Sequence, residues 1–148
     1  METPYTLDDP FPVRNKQAAS TINGIPTDAS CMHFSDKILV TISQDGALSQ
    51  WIQVPLSAPS SAQLEGQMLT AGTRGMLPMA HLTPSTMLGS RGTDRETLGH
   101  GIATQLASRL TMMNSEDRRT VVVGLGLKPG EFDRNLFFDI MELAFGVL

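Results

Sequence analysis

The clearest pattern along the chain lies between Lys16 and Val54, where short hydrophobic runs alternate with turn-forming groups. Asn23-Gly24 tolerates the positive φ of a tight hairpin, and Pro26 forbids a central ladder bond just after it, so residues 22–27 predict a turn. A strand over 27–34 follows. Phe34-Ser35-Asp36-Lys37 then turns the chain into Ile38-Leu39-Val40-Thr41-Ile42, and Gln44-Asp45-Gly46 turns it again into a strand from Leu48 to Val54. The stretch reads as an antiparallel meander of three or four strands with no catalytic motif in it.

The helical signals come later. Thr93-Asp94-Arg95-Glu96 is a capping box: the threonine oxygen takes an orphan amide, the glutamate reaches back, and both acids suit the positive start of a helix. Leu98, Ile102, Leu106 and Leu110 recur every fourth residue, with Ala103, Ala107 and Met113 broadening the buried stripe and Arg95, Gln105 and Arg109 facing away. Gly99 and Gly101 weaken the first turns unless something packs closely there. A polar turn to Arg119 leads into an apolar strand over 120–127. After Pro129-Gly130, with Glu131 and Asp133 at its start, a second helix carries Phe132, Leu136, Ile140, Leu143 and Ala144.

Between these blocks the pattern fails. Residues 55–75 hold scattered serine, proline and glycine, which marks a long loop at about 56–76, and Met76–Met87 extends as an edge strand because Pro78 and Pro84 forbid central pairing. Residues 1–15 place two prolines around an acidic patch and lack a charged start followed by an apolar run, so they predict a mobile tail rather than a signal peptide. Residues 16–148 then form one α+β domain.

Composition narrows the function. With 148 residues, 41% of them hydrophobic, the chain suits one domain with a modest core. A formal net charge of −4, with no basic run beyond Arg118-Arg119, argues against binding nucleic acid or an anionic membrane, and that arginine pair reads as a solvated hairpin end. No apolar run approaches the roughly 20 residues that a membrane helix needs. The single cysteine and the lack of an Asn-x-Ser/Thr sequon favour a reducing compartment, cytosol or nucleus.

Candidate chemistry is thin. Gly124-x-Gly126 after an apolar strand lacks the third glycine of a dinucleotide loop, and Pro129-Gly130 interrupts the helix such a loop opens; small residues that let another segment approach are the better account. Cys31 and His33 share a strand face, but a structural zinc needs four ligands and only His81 and His100 remain as nitrogen or sulfur donors. A catalytic pair would also want an orienting carboxylate, and Asp28 and Asp36 have no reason to converge on it. Cys31 reads as a buried reduced thiol. No catalytic residue, metal site or cofactor is expected. Of the nine methionines, Met68, Met76, Met79 and Met87 lie in or beside the loop, where an adaptable side chain suits binding.

The strands Ile38–Ile42 and Val121–Leu127 carry apolar residues at both parities, as in sheets covered on both sides. Two helices cover one face of a sheet of about six strands, and no further element remains for the other. A second copy or a paralogue is the simplest cover, giving a sheet-to-sheet dimer built as a four-layer sandwich. The face expected to meet it carries Leu39, Thr41, Ser43, Trp51, Gln53 and Val122. In the long loop, Leu64, Met68 and Leu69 are apolar candidates for burial either in a client partner or against the chain's own sheet.

The order Lys16-Gln17, a short strand, Gly24-Ile25-Pro26-Thr27, Cys31, Phe34-Ser35, Ile38-Leu39-Val40 and Gln44-x-Gly46 resembles the third proteasome assembly chaperone family in a fungal-like form. The resemblance covers about residues 16–54 and continues as a shared order of strand, helix, apolar strand and helix. It implies a non-enzymatic chaperone that forms a homodimer or pairs with a fourth proteasome assembly chaperone. The pair would hold alpha-type subunits, notably the fifth, while the alpha ring of the 20S core assembles. Two other classes stay open from the residues alone: a small cytosolic dimeric adaptor or scaffold, and an enzyme centred on Cys31.

Overall fold

The computed structural model of the chain describes residues 13–57, 82–130 and 133–148. Strands β1 (Arg14–Ile22) and β2 (Ile25–His33) form a hairpin through Asn23-Gly24, whose φ angles of 52° and 77° meet the demand of a two-residue turn. Then come β3 (Lys37–Gln44), β4 (Gln50–Pro55), β5 (Ser85–Leu88), α1 (Asp94–Met113), β6 (Thr120–Gly126) and α2 (Arg134–Phe145). One six-stranded sheet in the order β1-β2-β3-β6-β4-β5 results, antiparallel except where β3 and β6 run parallel. The fold is α+β, with both helices packed on one side of the sheet. β1 begins at Arg14, inside the segment expected to be a tail.

The meander holds for three strands only. β4 does not return beside β3, because β6 inserts between them. The cause is burial: Ile38, Val40 and Ile42 of β3 and Val121, Val123 and Leu125 of β6 are all 0% exposed, so the two most apolar strands take the centre. The connection at 45–49 must then step over the end of β6. Ser49 N–H donates to the Leu125 carbonyl at 2.8 Å, and a Cβ on Gly126 would overlap the Ala47 carbonyl. The expectation that the Gly124-x-Gly126 pair admits another chain segment is met there, and by Trp51, whose ring lies 2.8 Å from where a Gly124 Cβ would sit.

α1 buries Gly99, Ile102, Ala103, Leu106, Ala107 and Leu110 against the sheet, and α2 buries Leu136, Ile140, Met141 and Ala144. Thr93 caps α1, accepting the Glu96 amide, and Asp133 caps α2, accepting the Leu136 amide at 2.8 Å. Glu96 departs from the expected box. Its carboxylate takes the Gly92 amide at 2.8 Å and the Thr86 hydroxyl at 2.5 Å, so the helix start is fastened to strand β5. Two further expectations are corrected. Met113 lies past the last buried turn and is exposed, and Arg95 turns inward to donate to the Leu127 carbonyl at 2.9 Å. Arg109 places its guanidinium over the Phe145 ring, 5.1 Å from the centroid, which ties α1 to α2.

Two buried glutamines tie the helical layer to the sheet ends. Gln50 donates to the Arg95 carbonyl at 3.0 Å, and Gln44 accepts the Lys128 amide at 2.7 Å while donating to Thr27 at 3.2 Å. Gln50 explains Gly99, where a Cβ would lie 2.5 Å from its amide nitrogen and 2.7 Å from the Ile52 Cδ1. Gly101 faces open space. The two glycines should therefore respond oppositely to alanine. Gly101→Ala is expected to stabilise by about 0.5–1 kcal/mol through helix propensity, whereas Gly99→Ala loses about 1–3 kcal/mol to overpacking, both read from chemical denaturation.

Candidate functional site

Among the described residues three clusters could carry chemistry, and each is already engaged within the fold. Cys31 and His33 do share a face, with sulfur and Nε2 3.5 Å apart, but Cys31 is fully buried. Burial pushes its thiol above the ordinary value, and burial together with the nearby Arg119 and Arg14 lowers the His33 pKa. A nucleophilic thiolate needs the opposite environment. His100 sits across the sheet, donating to or accepting from Thr86 at 2.8 Å, and His81 lies outside the described residues. Among the described residues no group of three His, Cys, Asp or Glu side chains is placed to hold a metal ion.

The second cluster corrects the reading of Arg118-Arg119 as a solvated end for Arg119, while Arg118 is exposed as expected. Arg119 grips Asp117 with two parallel bonds, Nε to Oδ1 at 2.9 Å and a terminal nitrogen to Oδ2 at 2.7 Å, and donates to the Phe34 carbonyl at 3.1 Å. The Arg119 guanidinium holds the Asp117 carboxyl below the usual aspartate range. This pair locks the α1–β6 connection onto the β2–β3 turn. In the third cluster, Thr86 joins Glu96 and His100 at the β5 edge, and the Thr86 hydroxyl keeps the Glu96 pKa low. The Glu96 carboxylate also lies 3.7 Å from His100 Nε2, so the three side chains form a fastening between strand and helix.

The remaining candidate is the helix-free face of the sheet. The register brings Met32, Leu39, Val122, Gln53 and Ser85 into one row across it, and Ser30, Thr41, Gly124, Trp51 and Leu88 into the next. Leu39, Thr41, Ser43, Trp51, Gln53 and Val122 all lie on this side and are all half-exposed. The Ser30 and Thr41 hydroxyls bond at 2.6 Å, and the Trp51 ring covers Gly124. The expectation of strands apolar on both sides is met only in part: Leu39 and Val122 are apolar on the outer face, but Thr41 and Ser43 interrupt β3. The surface mixes a large aromatic and aliphatic groups with short polar ones.

Two large apolar side chains of this face, Met32 and Leu88, escaped the sequence reading. Met32 was legible, since the shared face of Cys31 and His33 puts the residue between them on the opposite side. Leu88 was not, because a β-bulge opposite Trp51 and Ile52 decides which way it points. The proposed client residues Leu64, Met68 and Leu69 lie outside the described residues.

Cys31→Ala should leave the fold intact and cost roughly 1 kcal/mol in thermal or chemical unfolding, the scale for trimming a small buried group. Asp117→Asn should destabilise by about 1–3 kcal/mol at neutral pH. Because the folded Asp117 pKa is depressed, its contribution is present above the ordinary aspartate pKa and lost as pH falls through the folded value. The gap between wild type and variant should therefore close at low pH in urea titrations.

No protein-family model matches the chain, and no curated protein matches its sequence. Among solved structures, the fold is similar to a chain of a novel chaperone complex for yeast 20S proteasome assembly, with a TM-score of 0.60 at 13% sequence identity. The match covers 88% of this chain and 95% of that one.

Proposed function

We propose that this chain is a non-enzymatic chaperone of 20S proteasome core assembly, which works as a dimer and binds an alpha-type subunit while the alpha ring forms. The observation that carries the reading is the likeness of fold over nearly the whole length of a proteasome assembly chaperone chain. The motif resemblance over about residues 16–54 points the same way from independent features. Binding and positioning need no nucleophile or metal, and the buried, protonated Cys31 is unsuited to nucleophilic attack. The partner in the dimer is a second copy or a fourth proteasome assembly chaperone, and the place of action is the cytoplasm and nucleus.

The helix-free face supplies the dimer surface. Trp51 is its largest side chain, held flat by Gly124, with Leu39, Val122 and Met32 beside it. A partner sheet packed there at about 10 Å would bury these groups and leave the helices of both protomers outside. Aromatic anchors near the centre of such a patch dominate its energy. The client is held by a composite surface rather than a pocket, with Leu64, Met68 and Leu69 as the first anchors to test.

Wild-type protein should sediment as a dimer at micromolar concentration, and Trp51→Asp or Thr41→Asp should yield folded monomers by placing an unpaired charge in the interface, a cost of about 3 kcal/mol or more. A well-folded wild-type monomer would sink the dimer reading. Affinity purification from a native extract should co-elute alpha-type ring subunits; co-elution of membrane-traffic proteins instead would favour a small adaptor. Deleting residues 58–72 should weaken capture of the ring subunit in calorimetry while the dimer persists. Unchanged capture would exclude the loop anchors.

A further inference from the structure

β1 is an edge strand nine residues long, and among the described residues nothing pairs with its outer side. The Asn23-Gly24 turn makes Ile22 and Ile25 the pair that bonds across the hairpin, so alternate residues back along β1 bond to β2 while Thr21, Ala19, Gln17 and Asn15 turn their N–H and C=O groups outward. Pro26 fits this parity: its carbonyl accepts the Asp45 amide from the β3 side, which leaves its partner Thr21 facing out. Exposed edges of this kind are usually guarded by charge, proline or a bulge. Arg14 and Lys16 guard only the first part of β1. From Ala18 to Thr21 the strand is Ala-Ala-Ser-Thr, without charge, proline or bulge.

The unguarded half is flanked on both sides by recesses. On the helix side a groove runs between Ala18, Ser20 and Ile22 of the strand and Asp139, Glu142 and Leu143 of α2. On the opposite side, Ala19 opens a shallow depression that reaches Asp28 and Thr41. Asp28, Asp139 and Glu142 make no ion pair with any described residue. The edge thus offers a ladder of backbone groups, small side chains that leave room, and carboxylates above and below it.

We infer that the Ala18–Thr21 half of β1 is a strand-addition site for an extended segment of a partner protein carrying lysine or arginine at alternating positions. Backbone bonds to Gln17, Ala19 and Thr21 would supply the ladder, and alternation would send successive basic side chains along the α2 groove toward Asp139 and Glu142. Arg14 and Lys16 repel a basic segment at the other end, so the charge layout sets the register of the incoming strand. The backbone ladder lies at the sheet edge and does not depend on dimerisation, while the Ala19 depression borders Thr41 on the helix-free face.

The probe is a fluorescein-labelled peptide alternating lysine and threonine, with a glutamate–threonine peptide as control, titrated into the full chain carrying Trp51→Asp so that sheet-to-sheet pairing is removed. Only the lysine peptide should raise anisotropy, and hydrogen exchange should show new protection at Gln17, Ala19 and Thr21. Ala19→Pro deletes an outward-facing donor without touching the β1–β2 ladder, so it should keep the thermal midpoint and abolish binding. Asp139→Lys combined with Glu142→Lys should weaken binding about tenfold and serves as the readout if the proline variant unfolds. Binding that survives both variants, or protection that maps to Leu39 and Trp51, overturns the proposal. So does protection of the β1 edge in the free protein that disappears when residues 58–81 are deleted, which would make the chain its own occupant.

Discussion

The structure depends on the parallel pairing of β3 with β6. Six aliphatic side chains, Ile38, Val40 and Ile42 against Val121, Val123 and Leu125, lose all contact with solvent along this seam and form the floor on which both helices pack. At about 1.5–3 kcal/mol for full burial of each, these side chains supply a large share of the driving force. Parallel strands cannot be joined by a tight turn, so the chain must leave β3 and return much later as β6. Everything between them is laid out by that requirement. β4 and β5 extend the sheet beyond β6, and α1 crosses back over the core to bring the chain to the start of β6.

The seam also decides where glycine and buried polar groups must stand. The β3–β4 connection has to pass over the end of β6, which is why Gly126 meets the Ala47 carbonyl and why Ser49 bonds Leu125. At the same end, Gln44 and Gln50 supply amide groups that satisfy the Lys128 N–H and the Arg95 carbonyl as the chain enters and leaves the helical layer. At the opposite end, Arg119 clamps Asp117 and the Phe34 carbonyl. No buried side-chain nitrogen or oxygen among the described residues lacks a partner. The polar residues inside the fold are fasteners, and chemistry that looked reactive in isolation, such as Cys31 with His33, is absorbed into packing.

Placing both helices on one side divides the molecule into surfaces of different character. The helical side is closed by Leu106, Ile102, Leu136 and Ile140. The opposite side presents an aromatic ring, aliphatic groups and paired hydroxyls on a rigid sheet. A surface made this way is preorganised, since strand backbones hold Trp51 and Leu39 in place before any partner arrives, and less freedom is lost on binding. The β1 edge differs again, because it presents a row of backbone groups that nothing among the described residues pairs with.

Local pattern by itself determined much of this protein. Alternation placed Leu39, Thr41 and Ser43 opposite Ile38, Val40 and Ile42, because side chains on a strand change sides at every residue whatever the strand pairs with. Asn23-Gly24 specified its hairpin, and Thr93 and Asp133 specified the two helix starts, since turns and caps bond within a few residues of chain. The stripe Ile102-Leu106-Leu110 named its buried face for the same reason. Only the tertiary structure decided which strands are neighbours. β3 and β6 are separated by more than seventy residues, and nothing local distinguishes an apolar strand that returns to its predecessor from one that makes room for a later arrival. The inward turn of Arg95, the grip of Arg119 on Asp117 and the attachment of Glu96 to Thr86 follow from that same choice, as each joins side chains that become neighbours only after the sheet has closed.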